Sequence, residues 1–205
     1  MAGTGTRQVD VTSSKCFTGV LRTALVGAAF GLTGCTTSPP HNPSDICSIF
    51  DEKSDWHESA NESSQKWGSS IPVMMSMMYQ ESRFVADAKP AFRWFLFIPL
   101  GRPSSAYGYP QAKDDTWDWY QSSAGHTFAS RDDFEDAIDF IGWYNAQTMA
   151  RNRVKPNDAY NLYLAYHEGQ GGYQRGTYRN NTWLKNTARQ VASRAASYDR
   201  QYSQC

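Results

Sequence analysis

Charge of one sign is missing from this sequence: 20 lysines and arginines balance 20 aspartates and glutamates over 205 residues. No global field therefore draws the chain to nucleic acid or to an anionic membrane surface. Metal-ligand spacing is missing too. His41, His57, His126 and His167 fall into no zinc-type pattern, so neither a metal nor another cofactor is expected. No glycine-rich phosphate loop follows a strand and no Gly-x-Ser-x-Gly turn occurs, which removes the nucleotide-binding and serine-nucleophile signatures. Two-residue alternation of apolar and polar side chains is absent as well, so the chain reads as mainly α. No apolar run reaches the roughly 20 residues that cross a bilayer as a helix. The length allows one domain of ordinary size plus targeting sequence.

Cysteine is scarce, and its placement is informative. A polar start with Arg7, Lys15 and Arg22 precedes a short apolar run over 24–32 and then Leu32-Thr33-Gly34-Cys35. That order reads as a secretory leader ending in a lipoprotein processing site, so residues 1–34 are expected to be removed and Cys35 to carry lipid; a buried N-terminal helix with an incidental cysteine is the alternative. Residues 35–45 are turn-rich, as a tether to a membrane should be. Thr36 rather than aspartate after Cys35 points to the periplasmic face of the outer membrane. Cys16 falls in the leader, leaving Cys47 and Cys205 at the two ends of the remaining chain. In an oxidising compartment a disulfide between them would close nearly the whole domain, 46–205, into one loop; two separate thiols are the alternative.

Helical periodicity marks four segments. One starts at Ser70 with Pro72 in its opening turn and carries Ile71, Met74, Met75 and Met78 on one stripe,. A second is expected from about Ser130, with Phe134, Ile138, Ile141 and Met149. A third follows Pro156 with Leu162, Tyr163 and Tyr166 and is expected to stop at Gly169. The last carries Leu184, Ala188, Val191, Ala195 and Tyr198,. A further helical stretch is expected around 46–67. Between them lie two irregular stretches, 169–181 and 90–111, the latter with four prolines and an aromatic run from Phe92 to Ile98. That run is expected to lie as a loop against the domain, the substrate or lipid. Seven tryptophans and twelve tyrosines suit carbohydrate faces and ordinary cores equally,.

The third-and-fourth-residue stripe of the Met-rich helix continues onto Glu81, Ser82 and Val85. An acid is expensive there, because burial and the negative end of a helix both disfavour the carboxylate. A carboxyl kept protonated near neutral pH is what glycosidic bond cleavage needs for its leaving oxygen. A surface glutamate paired with Arg83 or Lys89 is the alternative. Asp114, Asp115 and the acids of 132–139 read as solvated charges.

The residues around Glu81, Tyr79-Gln80-Glu81-Ser82-Arg83-Phe84, resemble the Glu-Ser motif of lytic transglycosylases and goose-type lysozymes. Two further elements follow in the same order: Ser105-Ala106-Tyr107-Gly108-Tyr109-Pro110-Gln111, similar to a Gly/aromatic-Gln element, and Ala165-Tyr166-His167-Glu168-Gly169, similar to an Ala-Tyr-Asn-x-Gly element. Tyr109-Pro110 departs from the usual loop residues, and His167 and Glu168 depart in the third element. The resemblance implies a lysozyme-like helical domain with long irregular loops. It also implies cleavage of the peptidoglycan bond between N-acetylmuramic acid and N-acetylglucosamine, with a 1,6-anhydro product. Glu81 would serve as acid and then base, while Ser82, Tyr107, Gln111, Tyr166, His167 and Glu168 would contact substrate or orient the acid. Two alternatives remain open: a hydrolytic muramidase using Glu168 as a second carboxylate, and a non-catalytic wall-binding lipoprotein. Protein partners are not legible.

Overall fold

The computed structural model describes residues 38–205; the expected leader with Cys16 and the expected lipid site Cys35 lie outside them. Among the described residues seven helices carry the fold: α1 Ile46–Glu52, α2 Ser54–Trp67, α3 Ile71–Ser82, α4 Asp114–Ala124, α5 Phe134–Asn152, α6 Ala159–Arg175 and α7 Thr182–Tyr202. Strands β1 Arg93–Phe95 and β2 Ile98–Gly101 form an antiparallel hairpin. The mainly helical reading is met, and the expected 46–67 helix is two helices broken at Lys53.

Helix α3 sits at the centre. Residues 71 to 78 are buried on every side, as befits a helix apolar all round. Helices α5, α6 and α7 pack around it, and α2 packs along α5. A stacked Trp56–Phe134 pair, 4.0 Å between centroids, joins α2 to α5, with Tyr109 edge-on to both rings. The fully buried Tyr109 is thereby a core residue that anchors its loop.

Local chemistry sets several boundaries differently from the periodicity. The N-cap of α5 is Asp133, whose carboxylate accepts from the Asp136 amide, while Ser130 hydrogen-bonds Asp132 and Asp136 before the helix begins. Helix α6 does not stop at Gly169. Its backbone there turns to φ 74°, ψ 161°, a region essentially confined to glycine, and then resumes to Arg175, followed by a 3-10 turn over Thr177–Asn180. Resumption is anchored on α5, since Gln170 donates to Thr148 at 2.8 Å and accepts from Asn152 at 2.9 Å. The hairpin shows no alternation because its strands, Arg-Trp-Phe and Ile-Pro-Leu-Gly, are three and four residues long and nearly all apolar after Arg93, so no period of two could announce it.

A disulfide joins Cys47 on α1 to Cys205 after α7, with Cα atoms 5.9 Å apart. Residues of the expected tether reach this junction: Pro40 is buried, the His41 amide donates to Glu52 at 2.9 Å, and the Tyr198 hydroxyl donates to the Pro43 carbonyl. No helix among the described residues is long and apolar enough to cross a membrane.

Candidate active site

The end of α3 carries the acid. Arg83 and Phe84 both adopt left-handed backbone (φ 56° and 62°), an unfavourable pair for non-glycine residues,. Packing holds them there. Phe84 is fully buried against Trp56 and Tyr79, and the Arg83 guanidinium lies 4.3 Å over the Tyr79 ring. This abrupt stop leaves Glu81 at the last turn, on a cleft of about 320 Å3.

The cleft has two walls. Gln111, Lys113, Asp115 and Thr116 form one, from the loop before α4 and its first turn; Tyr166, His167, Glu168 and Gly169 form the other, at the kink of α6. Phe140 and Tyr144 of α5 also line it. Ring packing of Tyr166 on Tyr144 (5.2 Å) and Phe140 (6.2 Å) ties α6 to α5 at this point.

Glu81 keeps some surface on the cleft but is closely surrounded by protein. Burial pushes its carboxyl from 4.5 to about 7, and a hydrogen bond with the Tyr163 hydroxyl acts in the opposite direction. Tyr163 is buried, and burial together with the nearby Glu81 carboxylate holds its own proton far above the usual phenol range. Tyr166 is likewise held protonated, first by burial and then by Glu81. Its hydroxyl donates to the Pro110 carbonyl at 2.6 Å, clasping the two walls together.

Loop 105–113 is fixed from below. Gly108, at φ 76°, approaches Arg131 so closely that a Cβ would stand 2.0 Å from the Arg131 carbonyl oxygen, which only glycine permits. The Arg131 guanidinium pairs with Asp114 at 2.8 Å and donates to the carbonyls of Ala112 and Ser105. Gln111 spends both amide hydrogens on the carbonyls of Ala88 and Gly108, each at 2.8 Å. Since carbonyls only accept, this fixes the amide orientation and leaves Gln111 Oε1 as the acceptor.

Of the residues singled out in the sequence, Glu81, Gln111, Tyr166, His167 and Glu168 come together on the one cleft. Ser82 and Tyr107 are not among its lining residues. The Ser82 side chain is buried and donates to the Met78 carbonyl at 3.3 Å, closing the last helical turn. Tyr107 donates to Asp132 at 2.7 Å and packs between Lys89 and Arg131. Glu168 has both oxygens engaged, one by His167 Nδ1 at 3.3 Å and the other by the Thr177 hydroxyl. Sequence reasoning missed Tyr163 as a partner of the acid, although its place three residues before Tyr166 puts both on one helix face. It also missed α4 as a cleft wall: Asp115, read there as a solvated charge, stands on the rim. No group of three or more metal-ligating side chains among the described residues could hold an ion.

A mainly helical domain, with a central buried helix ending in a carboxyl over a groove walled by the ends of neighbouring helices, fits the class of lysozyme-like helical domains. Within that class the chain belongs to the Transglycosylase SLT domain family, whose profile matches residues 23–205. Members of the family are lytic transglycosylases. No curated protein and no solved structure gives a significant match.

Proposed function

We propose that this domain is a peptidoglycan lytic transglycosylase that cuts the bond between N-acetylmuramic acid and N-acetylglucosamine, with Glu81 as the only catalytic carboxyl. The observation that carries the reading is the Glu81 carboxyl itself, raised by burial to about 7 and facing a cleft. Protonated, it gives its proton to the glycosidic oxygen as the bond from muramic C1 breaks. The C6 hydroxyl of the same muramic residue then bonds to C1, and its proton passes to the Glu81 carboxylate, so the enzyme returns to its starting state. An internal hydroxyl already placed beside C1 has a high effective concentration and needs no second carboxylate to activate water.

Neighbouring groups suit this cycle. The Tyr163 hydroxyl stabilises the carboxylate that exists between the two proton transfers,. Gln111 Oε1 is held ready to accept from a sugar hydroxyl or acetamido N–H. Glu168 lines the same cleft, which is the observation favouring a water-using muramidase. Its two engaged oxygens weigh against a base role and favour the lyase. The sequence before the domain supports a lipid on Cys35 and anchorage at the periplasmic face of the outer membrane; lipid labelling lost in Cys35→Ala is the check.

The test is digestion of purified sacculi by wild-type protein and by Glu81→Gln. The lyase gives 1,6-anhydro-muropeptides with wild type and none with the variant. Reducing ends would assign hydrolysis, and no release by wild type would leave a wall-binding protein.

A further inference from the structure

The cleft is too small for a polymer: about 320 Å3 is at the bottom of the range for small-ligand pockets,. A glycan strand must therefore run out over its rim. On the α6 side that rim is His167, and against His167 stands Trp183, in the first turn of α7, with ring centroids 5.6 Å apart and planes at 61°. Trp183 is 61% exposed. It takes no part in the core, and the fold gives no reason for an indole at that place. His167 is itself held by Glu168, and Glu168 by Thr177, so the pair is set on a fixed support. An edge-to-face contact fixes the relative orientation of the two rings while leaving most of the indole open.

We infer that Trp183, buttressed by His167, is a sugar-stacking subsite that takes the apolar face of one pyranose ring of the glycan strand beyond the cleft. This rests on the glycan-cleaving function proposed above and extends it to a residue outside the three motifs. A pyranose presents an apolar C–H face and a polar rim. The indole covers the first without desolvating the second, and rigid tryptophans of this kind dominate binding energy at interfaces. On the opposite wall the lining residues between 111 and 116 include no aromatic ring, so at the edge of the cleft itself stacking falls to the α6–α7 side.

Calorimetric titration of full-length protein with N-acetylglucosamine hexamer, alongside sacculus turnover, tests this with Trp183→Ala and Trp183→Phe. Trp183→Ala should bind the hexamer about tenfold more weakly, with the turnover loss in KM rather than kcat. Trp183→Phe should recover most of the affinity, and both should melt with wild type because the side chain is outside the core. Hexamer affinity unchanged in Trp183→Ala, or a loss confined to kcat, would overturn the subsite. Wild-type binding of the hexamer without anhydro products would instead sink the lyase reading and leave the subsite standing.

Discussion

Raising the pH from about 4.5 to about 7 should weaken the fold, and raising it on through 7 should switch the site off. Both effects come from Glu81. With its carboxyl at about 7, about nine-tenths of molecules carry the acidic proton at pH 6 and about one-tenth at pH 8. At the ordinary value of 4.5, only about 0.3% would be protonated at pH 7. Burial therefore raises the competent fraction at neutrality by about two orders of magnitude. The sign for stability follows from proton counting. Between about pH 4.5 and about 7 the folded state holds a proton that the unfolded chain has released, so stability falls as pH rises across that window. The span from 4.5 to about 7 corresponds to about 3 kcal/mol, and about 2 kcal/mol is expected because Glu81 keeps some contact with solvent,. Glu81→Gln is neutral throughout. It should melt with wild type near pH 4.5 and about 4–8 °C above it at pH 8, while being inactive at both. The assay pairs kcat/KM for anhydro-muropeptide release from pH 5 to 9 with melting curves of the two proteins. A rate that is flat across pH 6–8, together with melting curves that stay parallel, would refute the reasoning.

Other perturbations separate the parts of the site and the fold. Tyr163→Phe removes the hydrogen bond that favours the carboxylate, so the alkaline limb of the pH–rate profile should move to higher pH and the maximal rate should fall; an unmoved limb would detach Tyr163 from the acid. The Cys47–Cys205 bridge spans 158 positions, and loop-closure entropy puts its loss at up to about 5 kcal/mol. Cys47→Ser with Cys205→Ser should lower the melting temperature steeply and abolish its sensitivity to reductant. Replacing 92–101 by a short glycine-serine turn should leave the melting temperature nearly unchanged, because the strands make their main contacts with each other and Leu96, Phe97 and Leu100 are exposed. The same replacement should reduce wall binding or turnover; a large loss of stability with an unchanged rate would make the hairpin part of the core.

Much of the helical frame was legible because the outer helices bury one face each and the central one is apolar all round. The stripe of α7 announced itself through period alone, and α3 through its Met-rich apolar run with Pro72 marking the start. Helix α4 escaped because its buried face is only Trp117 and Tyr120, set in a polar segment. The continuation of α6 beyond Gly169 escaped because glycine there reads as a stop, whereas tertiary bonds from Gln170 to α5 restart the helix. At the site, periodicity made Glu81 a suspicious acid, and the ordered motifs brought Gln111, Tyr166, His167 and Glu168 beside it. Tyr163 was hidden in plain view as one more residue of an apolar stripe. Nothing in a linear pattern says which hydroxyl of a buried face meets a carboxyl.

The clasp between the cleft walls has a consequence for how this sequence can change. Tyr166 grips a main-chain carbonyl at Pro110, and Gln111 holds the carbonyls of Ala88 and Gly108. Every residue type offers that same carbonyl, so the side chains at Ala88 and Pro110 can drift without releasing the grip, whereas Gly108 and Tyr109 are fixed by their own close packing. The unusual Pro110 is one such excursion, while Tyr109 beside it belongs to the core. Mutational tolerance is therefore uneven around the groove: the gripping side chains, Gly108 and Tyr109 are fixed, and the positions that offer only a carbonyl are free to change.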